Sequence, residues 1–255
     1  MARSRTRIRL RSTSLLSPDV KFLEFGADPS FSFVAGQWVN LFVPVPDSVV
    51  HRRSYSIASA PDPTHPGRLE FAVTRVEGGP VSTALFQLRA GGEAGEGVLA
   101  DAVTDSIELE MEGPFGFFTR EAAPSDRAAV FVGTGTGVTP LRSMLQQELR
   151  DRPEGPALLL LFGCRTPADL LFREEFEAMA KKYDRFRYEM TLSRAGDDWD
   201  GRRGYVQSHL EELVRPLLPV DVYVCGLTKM VKEVRRVLKE ELGLTRKEIH
   251  TERYD

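Results

Sequence analysis

Apolar and polar residues alternate over most of residues 5–76, the period of strands with one face in a core. Thr6-Arg7-Ile8-Arg9-Leu10 opens the pattern, residues 20–25 and 38–43 continue it, and Ser17-Pro18-Asp19 and Asp28-Pro29 supply turns. His51-Arg52-Arg53-Ser54-Tyr55-Ser56-Ile57-Ala58-Ser59 reads as a further strand. A proline-rich turn at residues 61–67 leads into another at residues 69–76, and residues 107–111 are expected to close the set. About six short strands with turns between them predict a small antiparallel β-barrel. Ahead of its last strand, Gly78-Gly79-Pro80 precedes an apolar helical run for which Ser82 is the expected N-cap.

Beyond a loose polar stretch at residues 121–125 the period changes. Residues 128–132, 157–162, 186–192 and 220–224 are largely apolar runs of the kind buried on both faces of a sheet. Helical stretches alternate with them at residues 141–149, 168–183 and 229–242, the first opened by Thr139 as N-cap and Pro140 as first helical residue. Strand–helix alternation implies a parallel sheet with right-handed crossovers. The expectation is a two-domain chain: an antiparallel β-barrel over residues 1–120, then an α/β nucleotide-binding domain with a parallel sheet over residues 121–255.

Composition narrows the chemistry. With 255 residues, 42% hydrophobic and 28% charged, the chain can bury one large core or two modest ones. Its net charge of −3 offers no global field for nucleic acid or membrane. Cys164 and Cys225 are the only cysteines, which excludes a four-cysteine zinc or iron–sulfur site, so electrons leaving singly need a separate acceptor. The four histidines show no ligand spacing, and no metal is expected. No run of eighteen apolar residues and no signal-peptide core appear, and a cytoplasmic location is expected.

Several segments carry side chains that a core does not call for. With period two, Arg53, Tyr55 and Ile57 share one face, which suits a ligand with phosphate at one end and a flat ring at the other. A plain edge strand is the alternative. The glycine-led helix start near Ser82 is either an anion site or a capped surface helix. All four C-terminal strand ends of the second half carry unusual residues: Gly133-Thr134-Gly135-Thr136-Gly137, Gly163-Cys164-Arg165, Ser193-Arg194 and Cys225-Gly226. Ligands bind at such ends in open α/β sheets. The glycine loop is not the full dinucleotide fingerprint, since Val138 stands where the third glycine belongs, but glycines still let phosphate approach a helix start. Arg165, Ser193 and Arg194, with Arg202 and Arg203 nearby, suit the 2′-phosphate of NADPH better than the free hydroxyl of NADH. Asp197, Asp198 and Asp200 in the same loop point the other way.

Arg53-Ser54-Tyr55-Ser56 resembles the Arg-x-Tyr-Ser signature of the ferredoxin–NADP reductase family. Further segments of that family follow in order: Gly36-Gln37, the Gly-x-x-Ser motif ending at Ser82, Gly113-Pro114-Phe115-Gly116-Phe117-Phe118, Gly135-Thr136-Gly137-Val138-Thr139-Pro140, Cys225-Gly226 and a Glu252-x-Tyr254 tail. The tail departs from the family in ending on Asp255 and not on an aromatic. The resemblance implies that Arg53 holds a flavin phosphate, Tyr55 lies on the isoalloxazine, Ser56 sits near flavin N5, with Ser54 between them, and that Val81, Ser82 and Thr83 receive the pyrophosphate. It further implies that Gly133, Thr134, Gly135, Thr136, Thr139 and Pro140 bind the nicotinamide nucleotide and that Cys225 lies beside the nicotinamide, where Gly226 permits close packing. Glu252 would supply a proton and Tyr254 would stack. The implied enzyme passes hydride from NADPH to FAD and single electrons to ferredoxin or flavodoxin. The alternatives are the reductase of an oxygenase system, a free-flavin reductase, or a flavin-binding electron-transfer subunit or redox sensor without turnover of its own.

Overall fold

Alternating strands pair antiparallel in the first part of the chain and continuous apolar strands pair parallel in the second. The computed structural model describes residues 5–45, 49–89, 107–120 and 126–254; the expected linker at residues 121–125 and the terminal Asp255 lie outside them. The chain divides into two compact units, one of Met1–Thr119 with Arg142–Met144 and one of Arg120–Leu141 with Leu145–Asp255.

The first unit holds strands β1 (Thr6–Ser17), β2 (Val20–Gly26), β3 (Trp38–Pro44), β4 (Val50–Ser56), β5 (Arg68–Thr74) and β6 (Glu108–Phe115), with helix α1 (Pro80–Gln87). They form one antiparallel sheet in the order β4-β3-β6-β1-β2-β5. The last strand in sequence therefore does not close the barrel, as expected from its position, but lies between β3 and β1. Closure falls to the two ends of the sheet, where the Ala58 N–H just past β4 donates to the Glu70 carbonyl of β5 at 2.7 Å. Register shifts in β1 between Leu10 and Ser12 and between Leu15 and Ser17 let this twelve-residue strand bend as it serves both neighbours. Inward residues such as Leu23, Phe25, Leu41, Leu69 and Phe71 are fully buried, each contributing roughly 1.5–3 kcal/mol before conformational entropy is counted.

The second unit is a six-stranded, all-parallel sheet in the order β10-β9-β8-β7-β11-β12. Its strands are β7 (Ala128–Thr134), β8 (Leu158–Cys164), β9 (Phe186–Leu192), β10 (Arg202–Arg203), β11 (Val220–Gly226) and β12 (Ile249–Arg253). Helices α2 (Val138–Asp151), α3 (Arg173–Lys182), α4 (Leu210–Val214) and α5 (Thr228–Glu240) connect them. Strands run outward from β7 through β8 to β9, then return to its other side as β11, which makes β7/β11 the point where strand order reverses.

Three local readings change. Helix α2 starts at Val138 with Gly137 as N-cap after a 3₁₀ turn over Gly135–Gly137; Thr139 is not the cap, because its hydroxyl donates to the Thr136 carbonyl at 2.7 Å. The helix expected from residue 168 begins only at Arg173. Before it, Pro167–Asp169 forms a 3₁₀ turn locked by a capping box between Thr166 and Asp169, and Phe172 sits at φ 56°, a left-handed conformation that breaks any continuous helix. The tail, which by position would fray, is held as β12 along β11. Among the described residues, no helix is long and apolar enough to cross a membrane.

Candidate cofactor sites

In the first unit, Arg53 pairs in register with Leu41 and Tyr55 with Val39. Leu41 and Val39 are wholly buried, so the inward row of the barrel runs onto its end strand as a guanidinium and a phenol. Arg53 is exposed, and its described hydrogen bond is to the neighbouring Arg52 carbonyl at 2.9 Å; no carboxylate among the described residues pairs with it. Tyr55 is half-buried against the core, which pushes its phenol up to about 12, with Arg53 holding the rise back. It stays neutral across working pH. Ile57 continues the row into the core and is wholly buried. Ser54 faces the other way and donates to Asn40 Oδ1 at 2.9 Å, while Ser56 is buried at the strand end opposite Trp38.

The start of α1 differs from expectation. Gly79 is the N-cap and Pro80 the first helical residue, where its missing N–H costs nothing. Ser82 lies inside the first turn; its hydroxyl accepts from the Val76 N–H at 3.1 Å and donates to the Gly79 carbonyl at 3.1 Å, tying the helix to the preceding turn. Thr83 is exposed, and its N–H bonds the Gly79 carbonyl at 3.0 Å. In a helix opening on Pro80, the amides of Val81 and Ser82 have no intrahelical acceptor. Gly78, at φ 69°, has open space where a side chain would stand. A guanidinium without a carboxylate, a half-buried ring and two helix-start amides are the donors and platform that a flavin carrying phosphates requires.

In the second unit the strand ends converge as expected. Gly133 pairs with Phe162 on one side and Cys225 on the other. Gly137 lies against the end of β11, where a Cβ would stand 2.7 Å from the Cys225 carbonyl carbon and 2.8 Å from Gly226 Cα. Gly226 is equally confined, by Thr134 and Met230. Cys225 is wholly buried. Burial pushes its thiol well up, the Glu252 carboxylate adds to the rise, and a hydrogen bond from the Tyr254 side chain offsets part of it. The thiol is therefore neutral and not a thiolate. Glu252 pairs in register with Cys225, and the Tyr254 N–H donates to the Gly226 carbonyl at 3.0 Å. The Tyr254 hydroxyl lies 3.3 Å from Thr139 Oγ1, which brings the tail back over the glycine loop and α2; Pro140 is buried in the first turn of that helix.

The five residues expected to read the ribose separate into two groups. Ser193 N–H donates to the Cys164 carbonyl at 3.0 Å and Arg194 N–H to the Arg165 carbonyl at 2.8 Å, which extends the β8/β9 ladder and sets Arg165 beside Arg194. Both arginines are exposed, and no carboxylate among the described residues pairs with either. Arg202 is held by Glu189 at 2.8 Å and by both oxygens of Glu212 at 2.7 Å. Arg203 donates to the carbonyls of Ala195, Gly196 and Trp199, pinning the loop on itself. Tyr205, not among the expected site residues, is 68% exposed just after Gly204, whose N–H bonds the Leu192 carbonyl at the end of β9. An aromatic beside a turn glycine was the available signal.

Residues 7–94 match the profile of the oxidoreductase FAD-binding domain and residues 131–236 that of the oxidoreductase NAD-binding domain. The chain is 48% identical to the ferredoxin–NADP reductase B of Sorangium cellulosum, over 97% of this chain and 96% of that protein. It is 29% identical to the phenol hydroxylase P5 protein of Acinetobacter pittii over 94% of its length, spanning 62% of that longer protein. It is also 32% identical to the glycine betaine monooxygenase reductase subunit of Chromohalobacter salexigens over 92% of its length and 60% of that protein. Among solved structures, the Amycolatopsis cytochrome P450 reductase GcoB superposes with a TM-score of 0.79 at 26% identity, over 98% of this chain and 69% of that one. A ferredoxin NADP+ reductase from Neisseria gonorrhoeae with bound FAD and NADP shares the fold, with a TM-score of 0.77 at 22% identity over 98% of both chains. With both domain profiles in order and the likeness to the Sorangium protein running nearly end to end, the chain belongs to the ferredoxin–NADP reductase family of flavin-dependent oxidoreductases.

Proposed function

We propose that the protein is an NADPH-dependent reductase that delivers electrons, through FAD, to a separate ferredoxin or flavodoxin. The observation that carries the choice of NADPH is the pair Arg165 and Arg194, two exposed arginines whose backbones are bonded to each other just past the ends of β8 and β9, with no carboxylate partner among the described residues. A dianionic 2′-phosphate satisfies both; a free hydroxyl satisfies neither. Arg202 and Arg203 then build the loop and do not read the ligand, while exposed Tyr205 offers a face for the adenine. The full-length likeness to a protein named as a ferredoxin–NADP reductase supports the carrier, as does the lack of cysteines for an internal cluster.

On this reading residues 1–120 bind the flavin and residues 121–255 the pyridine nucleotide. Arg53 holds a flavin phosphate, Tyr55 supports the ring, Ser56 borders it, and the first turn of α1 takes the pyrophosphate. When bound, the cofactors supply the redox chemistry: hydride leaves the nicotinamide for the flavin, and electrons leave the flavin singly. Gly133–Gly137 admits the nucleotide to backbone amides, the buried Cys225 thiol lies uncharged behind that loop, and Glu252, in register beside Cys225, is the group that would relay a proton. A cytoplasmic site suits an enzyme fed by NADPH.

An anaerobic visible spectrum tests this directly. NADPH is expected to bleach the bound flavin at concentrations where NADH does not, and Arg165→Ala with Arg194→Ala to weaken NADPH by about tenfold or more, the scale of lost charge-assisted hydrogen bonds, with NADH unaffected. Equal bleaching by both nucleotides would overturn the choice of NADPH. The likeness to oxygenase reductases favours a second reading, in which the acceptor is an oxygenase component.

A further inference from the structure

Lys21 lies on β2 in the inward row with Leu23 and Phe25, and it is only 3% exposed. No carboxylate among the described residues pairs with it. Its ammonium donates instead to the carbonyls of Phe86 at 2.6 Å and Leu88 at 2.5 Å, at the C-terminal end of α1. Arg89 converges on the same two oxygens at 2.9 and 3.1 Å. Two cations on two carbonyls is a costly arrangement, and burial together with the Arg89 charge lowers the Lys21 ammonium to about 8. An apolar residue would fill the barrel end without that cost.

Helix α1 has eight residues, too few to stand by its own hydrogen bonds. Its placement depends on what holds its ends. Ser82 ties the opening turn to Val76, and Lys21 ties the closing turn to β2. The two ties fix both the direction of the helix and the aim of its free amides. Positive charge at the C-terminal carbonyls also complements a negative ligand at the other end, about 12 Å away at 1.5 Å per residue.

We propose that Lys21 is a positioning residue for the flavin: by anchoring the far end of α1 it aims the first turn at the diphosphate of FAD, and so sets the preference for FAD over FMN. This rests on the reading that α1 receives the pyrophosphate. FMN keeps the phosphate assigned to Arg53 but lacks the adenylate half, so it registers a shift of α1 far less.

The test is titration of flavin-free protein with FAD and with FMN. Lys21→Met is expected to weaken FAD by about tenfold or more while FMN changes by less than about twofold. Unchanged FAD affinity, or an equal loss for both flavins, overturns the proposal. Lys21→Gln, which keeps a donor and loses the charge, is expected to fall between wild type and Lys21→Met, and it serves where the methionine variant folds poorly. Amide hydrogen exchange gives a second readout: protection at residues 83–87, whose amides are bonded within α1, is expected to fall in the variant while β5 holds, and a uniform loss overturns the proposal. Thr83→Glu separates the two readings, since it sets a negative charge at the helix start. If it leaves FAD affinity intact, the pyrophosphate reading fails. If it weakens FAD and Lys21→Met does not, the role of Lys21 alone fails.

Discussion

At the scale of single residues, partners decide which charges are available for ligands. Arg202 and Arg165 are both arginines near the same rim, yet one is saturated by two glutamates and the other is exposed without a carboxylate among the described residues. Glu189 and Glu212 lie thirteen and ten residues from Arg202, separations that no local pattern exposes. Lys21 yields a pH prediction at this scale. Its ammonium is lowered from 10.5 to about 8 in the folded chain, so below that point both folded and unfolded states carry the proton. Between about 8 and 10.5 the unfolded chain binds more protons, and this group therefore makes stability rise with pH across that window. The unfolding free energy of wild type minus that of Lys21→Met is expected to rise from pH 8 to pH 10, measured by denaturant titration. A signed difference that falls over this range would contradict the burial of the charge.

At the scale of elements, boundaries moved while element types held. Strands of both periods were legible because alternation and continuous burial reflect which faces are covered. Helix starts were not, because the hydroxyls of Ser82 and Thr139 bond carbonyls as readily as amides, and only the surrounding turn decides between them. Strand β12 was hidden for a related reason: Ile249–Arg253 has little apolar pattern of its own and is ordered by the edge of β11. The glycine loop supplies the prediction here. Gly137→Ala would drive a methyl group into the backbone of Cys225 and Gly226, so it is expected to cost about 1–3 kcal/mol and to weaken nucleotide binding. Thermal unfolding and nucleotide titration check it, and a variant as stable as wild type would show that the loop has slack.

At the scale of the whole molecule, two cysteines leave the chain without a cluster of its own, so its electrons need a separate carrier. NADPH oxidation by the purified protein is expected to stay slow alone and to rise when ferredoxin or flavodoxin is added. Acceleration by an oxygenase component and by neither small carrier would favour the second reading of the acceptor.

The amino-acid sequence alone determined the two architectures, the order of the motifs and the four unusual strand ends that come together on one rim, because periodicity and glycine placement are local consequences of burial and backbone sterics. Only the tertiary structure decided which strands close the barrel, which arginines stay free of carboxylate partners and what the buried lysine holds. Those depend on residues brought together from distant positions, such as Lys21 and Leu88 or Cys225 and Tyr254, and distance along the chain carries no record of such meetings.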